Sequence, residues 1–265
     1  MKNIPYMDTW IKFAMSHNVE NLSLNFLHYY GGYKLPDFFY NSYHHSKLKL
    51  SGYNHMIVPP ECTVSWTSLR NLSLTYFALS LMNPWLRFYP VMLDKLKNAE
   101  KLKLGSNFIQ ILSLAEIRGV PFPVLKVKAL TLDTKISHYV IPGIQRLLQN
   151  SPDLEKLTVG GRARFRMPPV EFLDKYLKLQ GFNVNKCSWN EEHCVDAKLE
   201  HVASLVELLL INCTEKLDKI VLLLDERYLK FKTEDLTATL SHNSNVTIVL
   251  ISSTKQAKPK TSEDW

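Results

Sequence analysis

The chain has 265 residues, with 32 lysines and arginines against 25 aspartates and glutamates, a formal net charge of +7. Hydrophobic residues make up 46% and charged residues 22%, with 9 glycines and 13 prolines, which excludes a disordered or collagen-like chain. No apolar run approaches the roughly 18–20 residues that span a bilayer, and the opening residues lack the apolar stretch of a secretory signal.

In chain order, the first expected element is a helix with Asp8 as N-cap and Trp10, Ile11, Phe13 and Ala14 on one side. A short strand pattern follows: an apolar residue, two variable residues, then Leu-x-Leu. It stands first as Val19-Glu-Asn-Leu22-Ser-Leu24, then more weakly as Lys47-Leu48-Lys49-Leu50. It returns as Leu69-Arg-Asn-Leu72-Ser-Leu74, Ala99-Glu-Lys-Leu102-Lys-Leu104 and Val127-Lys-Ala-Leu130-Thr-Leu132. Between the last two, Phe108–Val120 fits no single element, and Ile111-Leu112-Ser113-Leu114 is open to reading as an extra strand. Ile141–Leu148 reads as a helix stopped at Ser151-Pro152, because proline disfavours αR in the residue before it. Leu154-Glu-Lys-Leu157-Thr-Val159 is the next strand. Val202, Leu205, Val206, Leu208 and Leu209 mark an apolar helix that ends near Asn212. Leu217-Asp-Lys-Ile220-Val-Leu222 and Asn245–Leu250 are the last strands, with a short helix over Thr233–Leu240 between them.

The first leucines fall at 22, 48, 72, 102, 130 and 157, in steps of 26, 24, 30, 28 and 27 residues. A gap of 63 then leads to Ile220, about two steps, which places a degenerate unit near Leu179–Val184. A period of roughly 20–29 residues carrying L-x-x-L-x-L is the mark of a leucine-rich repeat. The expected fold is therefore α/β: a leucine-rich-repeat solenoid, horseshoe-like, with parallel strands and helical or irregular crossovers. Side chains alternate along a strand, so the leucines face the core and their neighbours face out.

Those outward neighbours form the candidate partner-binding face: Asn21, Ser23, Asn25, Lys47, Lys49, Asn71, Ser73, Thr75, Lys101, Lys103, Thr131, Asp133, Lys156 and Thr158. The row is polar, with five lysines and one acid. It suits an acidic protein segment; the rival reading is that its lysines keep an exposed sheet soluble. Apolar surface around Trp10 and Leu22 is expected at the uncapped N-terminal end, and with it a tendency to associate.

Other groups carry less. Arg162, Arg164 and Arg166 could grip nucleic acid, but they lie between Gly160-Gly161 and Pro168-Pro169, as an exposed loop would; nucleic acid is disfavoured as a partner. Cys187, His193, Cys194 and His201 match no standard zinc spacing. His44-His45 reads as a surface loop. No P-loop, G-x-S-x-G or H-E-x-x-H occurs, so neither an enzyme nor a cofactor is expected. Four Asn-x-Ser/Thr triplets favour an extracellular receptor reading, yet three of them lie in predicted strands. The cysteines at 62, 187, 194 and 213 form no CxxC, which fits a cytoplasmic or nuclear protein.

Several blocks resemble plant F-box proteins of the leucine-rich-repeat and FBD type: Met7–Asn25, Leu35–Tyr43, Cys62–Thr75, Gly119–Gly160, His201–Leu229 and Leu240–Ile251. The phrases VPFPVLKVKALTL and SPDLEKLTV carry most of the resemblance. It implies a leucine-rich-repeat region over 1–180, an FBD-like region over 181–252 that continues the solenoid, and a disordered tail over 253–265. It also implies the substrate-binding part of an F-box subunit of a cullin-type ubiquitin ligase. This sequence opens inside a repeat, with no room for an F-box before Trp10. A Skp-type adaptor is therefore expected as a partner only where an F-box stands upstream. A stand-alone scaffold or decoy is the alternative, and no membrane partner is expected.

Overall fold

The structure is a computed structural model. It describes residues 4–26, 35–41, 44–52, 65–75, 93–117, 119–134, 140–160, 202–203, 205–207, 211, 216–224 and 247–252. Eight short strands form one sheet: β1 (Asn21–Phe26), β2 (Lys47–Gly52), β3 (Asn71–Thr75), β4 (Lys101–Gly105), β5 (Ala129–Asp133), β6 (Lys156–Val159), β7 (Lys219–Leu224) and β8 (Thr247–Ser252). Their spatial order is their chain order, every neighbouring pair is parallel, and the sheet is open, with β1 and β8 at its edges.

The register places like on like. Leu22, Leu48, Leu72, Leu102, Leu130, Leu157, Ile220 and Ile248 stand in one row. Leu24, Leu50, Leu74, Leu104, Leu132, Val159, Leu222 and Leu250 stand in the next. From Leu48 to Ile220 the first row is buried, within one apolar core that also takes in residues of the helices. A single strand of this kind is unstable alone; stacking at about 4.8 Å makes its inner face part of a continuous core.

Among the described residues, helices α1 (Ile4–Ser16), α2 (Asp37–Tyr40), α3 (Ser106–Ile117) and α4 (Ile141–Gln149) flank the sheet. α3 settles the open stretch after β4. Phe108, Ile109, Ile111, Leu112, Leu114 and Ala115 are all buried in it, and so are the polar Gln110 and Ser113. α4 lies against α3 at Gly143, where a Cβ would collide with the Ile109 carbonyl oxygen and stand 2.8 Å from Ser113 Oγ. The Gly143 N–H donates to Ser113 Oγ at 2.8 Å, and that hydroxyl donates to the Ile109 carbonyl at 3.1 Å. α1 starts four residues before Asp8, which lies inside the helix and is not its cap. The chain leaves α1 through Asn18 at φ 51°, a left-handed conformation that asparagine tolerates.

Between α2 and β3 an aromatic knot fills the crossover. The Trp66 ring stacks on Tyr40 at 5.9 Å and meets Phe39 edge-on at 6.0 Å, and its Nε1–H donates to the Phe39 carbonyl. β6 pairs directly with β7, and Leu179–Val184, where a degenerate unit was expected, lies outside the described residues. One expectation is corrected. His45 is buried, not at a surface loop: it fills the lead position that Val19, Leu69, Ala99, Val127, Leu154 and Leu217 fill in the other copies. Its Nδ1–H donates to the Val19 carbonyl at 2.5 Å. The arginine triplet, Cys187, His193, Cys194, His201, Thr233–Leu240 and residues 253–265 lie outside the described residues.

Candidate functional site: the outward face of the sheet

The strands lift two parallel rows onto the outward face. Asn21, Lys47, Asn71, Lys101, Ala129, Lys156 and Lys219 align in register, and Ser23, Lys49, Ser73, Lys103, Thr131, Thr158 and Val221 form the row beside them. Asn25, Ser51 and Thr75 begin a third row, and Asp133 stands beside Gly105 farther along.

The rows are not uniformly open. Asn21, Ser23, Asn25, Lys47, Lys49, Lys101 and Lys156 are exposed. Asn71, Lys103, Thr131, Asp133 and Thr158 are half-buried. Ser73 and Thr75 are buried, so the continuous polar wall expected from alternation is interrupted at β3. The open part of the face lies over the first residues of each strand. Past β6 the second row turns apolar, with Val221 buried.

Charge is distributed unevenly. Lys103 faces the one acid of the rows, with Nζ 4.0 Å from Asp133 Oδ2. Lys47, Lys49, Lys101, Lys156 and Lys219 have no carboxylate within 4.0 Å among the described residues. Away from the face, Arg70, Lys95, Lys97, Lys128, Arg146 and Lys216 each have one. Among the described residues, the cations with no carboxylate within 4.0 Å are thus mostly on the outward sheet face, with Lys12 and Lys126 elsewhere. Such a surface attracts anionic groups, more strongly at low salt.

Sequence reasoning missed two features. Lys219 continues the lysine row, and its place beside Ile220 in the repeat pattern was the available signal. A rim of charges was also missed: Glu20, Arg70, Glu100, Lys128, Glu155 and Asp218 stand just before β1, β3, β4, β5, β6 and β7. There Arg70 pairs with Glu100 at 3.8 Å and Lys128 with Glu155 at 3.9 Å, one repeat to the next. Beneath those side chains the backbone repeats one device. The carbonyl of Glu20 accepts the N–H groups of Ser46 and Lys47, that of Ser46 accepts Arg70 and Asn71, and that of Arg70 accepts Glu100 and Lys101. The carbonyls of Glu100 and Lys128 continue the series to β5 and β6.

Among the described residues no group of three or more His, Cys, Asp or Glu is placed to hold a metal ion. No described helix is long and apolar enough to cross a membrane.

An open parallel sheet in chain order, built from Leu-x-Leu strands, defines a leucine-repeat α/β protein. No protein-family model matches the chain, and no solved structure matches it. Curated proteins do. The chain is 53% identical over 166 residues to the F-box/LRR-repeat protein At3g18150 of Arabidopsis thaliana, covering 60% of this chain and 35% of that protein. It is 32% identical over 359 aligned positions to F-box/LRR-repeat protein At3g03360 of the same plant, covering 94% and 73%. It is 30% identical over 360 positions to F-box/LRR-repeat protein At5g02910, covering 94% and 78%. The chain thus spans about a third of the length of the first relative and about three quarters of the other two. It belongs to the plant F-box/LRR-repeat family.

Proposed function

We propose that this chain is a non-catalytic protein-recognition module, the target-reading part of an F-box subunit of a cullin-type ubiquitin ligase, acting in the cytoplasm or nucleus. The strands continue as a curved solenoid, with the leucine-rich-repeat region over 1–180 and an FBD-like region over 181–252. The outward face of the sheet is its docking surface, and its partner presents an acidic segment. The observation that carries this reading is the row of lysines on that face with no carboxylate partner among the described residues. Family membership supports protein partners over a reaction.

The test is a quadruple charge reversal, Lys47→Glu, Lys49→Glu, Lys101→Glu and Lys156→Glu, used as bait in a plant extract beside the unaltered chain at low and high salt. The proteins held by the unaltered chain at low salt should be released by salt and be missing from the variant. An identical retained set would overturn the docking face. Binding of a purified Skp-type adaptor separates a ligase subunit from a stand-alone scaffold or decoy, which is the second reading.

A further inference from the structure

At the N-terminal end of the sheet Trp10 is exposed, as expected there, and Leu22 is buried. The outward face carries a more regular pattern, in the spacing of its lysines. In the first outward row Lys47 stands on β2, Lys101 on β4 and Lys156 on β6, with Asn71 of β3 and Ala129 of β5 between them. The three lysines are exposed, and the two residues between them are half-buried and uncharged. Lys219 of β7 breaks the alternation: it is exposed and stands directly beside Lys156. In the second row Lys49 is on β2, and Lys103 is matched by Asp133. From β3 onward, the lysines of the face with no carboxylate within 4.0 Å among the described residues therefore lie in one line that crosses the strands.

Neighbouring strands are about 4.8 Å apart, so the lysines on β2, β4 and β6 recur at about 9.6 Å. Few backbone conformations return a side chain to the same side at that distance. A polyproline-II chain turns once in three residues and rises about 3.1 Å for each, so every third side chain returns after about 9.3 Å. An extended β chain returns after two residues and about 6.6 Å. An α-helix sets neighbours three or four residues apart at about 5–6 Å, and its seven-residue step is about 10.5 Å. Over two steps the polyproline-II chain falls about 0.6 Å short of the lysines, and the helix overshoots them by about 2 Å.

Lys156 and Lys219 add a second constraint. Like charges directly opposite each other on neighbouring strands destabilise a sheet. One carboxylate set between the two ammonium groups relieves that repulsion and is held by both.

We infer that the segment this face takes is an acidic peptide in a polyproline-II conformation, lying across the strands along the first row. It carries a carboxylate at every third residue, and the one at the β6–β7 end is gripped by Lys156 and Lys219 together. The two residues between successive acids pass over Asn71 and Ala129, where no charge awaits them. All of this rests on the docking role proposed above for the face.

The test is titration of the full chain at low salt with two labelled peptides of one composition, each acetylated and amidated: Glu-Pro-Pro-Glu-Pro-Pro-Glu and Pro-Pro-Glu-Glu-Glu-Pro-Pro. The spaced peptide should bind at least about fivefold tighter than the clustered one, and Lys219→Ala should weaken it at least about threefold. Asn71→Lys plus Ala129→Lys, which puts a lysine on every strand from β2 to β7, should remove the preference. Equal affinity for the two peptides, lost for both in the quadruple charge reversal, would overturn the spacing and leave the docking face standing. A preference that survives the filled gaps would overturn the spacing as well. Spaced-peptide binding that persists in the quadruple charge reversal would overturn the docking face with it. Binding of neither peptide would overturn the spaced-acid ligand, with the docking face still decided by the extract experiment.

Discussion

Gly143 shows how little room the helical side of this fold leaves. Any side chain there would push α4 off α3, because the nearest atoms are the Ile109 backbone and the Ser113 hydroxyl that binds the Gly143 N–H. Gly143→Ala should cost about 1–3 kcal/mol in urea unfolding, the usual range for an overpacked contact. Gly160 is constrained twice: its φ of 141° suits glycine, and a Cβ would meet the Leu223 carbonyl oxygen. At the surface, Lys216 donates to Asp153 Oδ1 at 2.5 Å and ties the turn before β6 to the residues before β7. That hydrogen bond holds the Asp153 carboxyl below its ordinary 3.8, and the same contact raises Lys216 above 10.5. Asp153's share is complete above 3.8 and vanishes as pH falls through its lowered value; Lys216's is complete below 10.5 and vanishes as pH climbs through its raised value. In Lys216→Met, NMR titration should find the Asp153 carboxyl moved upward toward 3.8.

At the scale of the strand, neighbouring residues carry opposite burdens. Leu102 is fully buried in the leucine row, and Leu102→Ala should destabilise by about 2–5 kcal/mol. Lys101, one position earlier and exposed, should tolerate alanine within about 0.5 kcal/mol. This contrast is also why the strands were legible in the sequence: burial on one face forces Leu-x-Leu, and the spacing of the copies gives the order. β1 to β7 fall where the pattern places them, and the late strand falls at β8. The helices were less legible. α4 announces itself through Ile141, Ile144, Leu147 and Leu148 on one side and a following Ser-Pro stop. In α3 Gln110 and Ser113 are buried along with the apolar residues, so a period-2 reading of Ile111-Leu112-Ser113-Leu114 competes with a 3.6-residue one. In α1 two apolar sides stand close together, one for the core and one for solvent, and sequence alone merged Trp10 and Phe13 with Ile11. On the candidate face, alternation gave direction but not cover. It put Ser73 and Thr75 outward, and both are buried.

Over the whole molecule, each strand leans on its two neighbours, so stability should vary along the stack. Amide hydrogen exchange should be slowest in β4 and β5, which have paired strands on both sides and α3 and α4 in the adjoining crossovers, and fastest in the edge strands β1 and β8. Equal protection in all eight strands would mean that the sheet opens only as one unit. The backbone device at the rim reaches further. One carbonyl per repeat receives two amides from the repeat that follows, and the residue supplying it is Glu, Ser, Arg, Glu or Lys in successive copies. Because the joint is made of main chain, it asks nothing of the side chain that sits on it. A whole unit exchanged for another, or duplicated in place, would find its docking partners already waiting on either side. The array can therefore be lengthened or reshuffled in heredity while the letters along its rim drift freely.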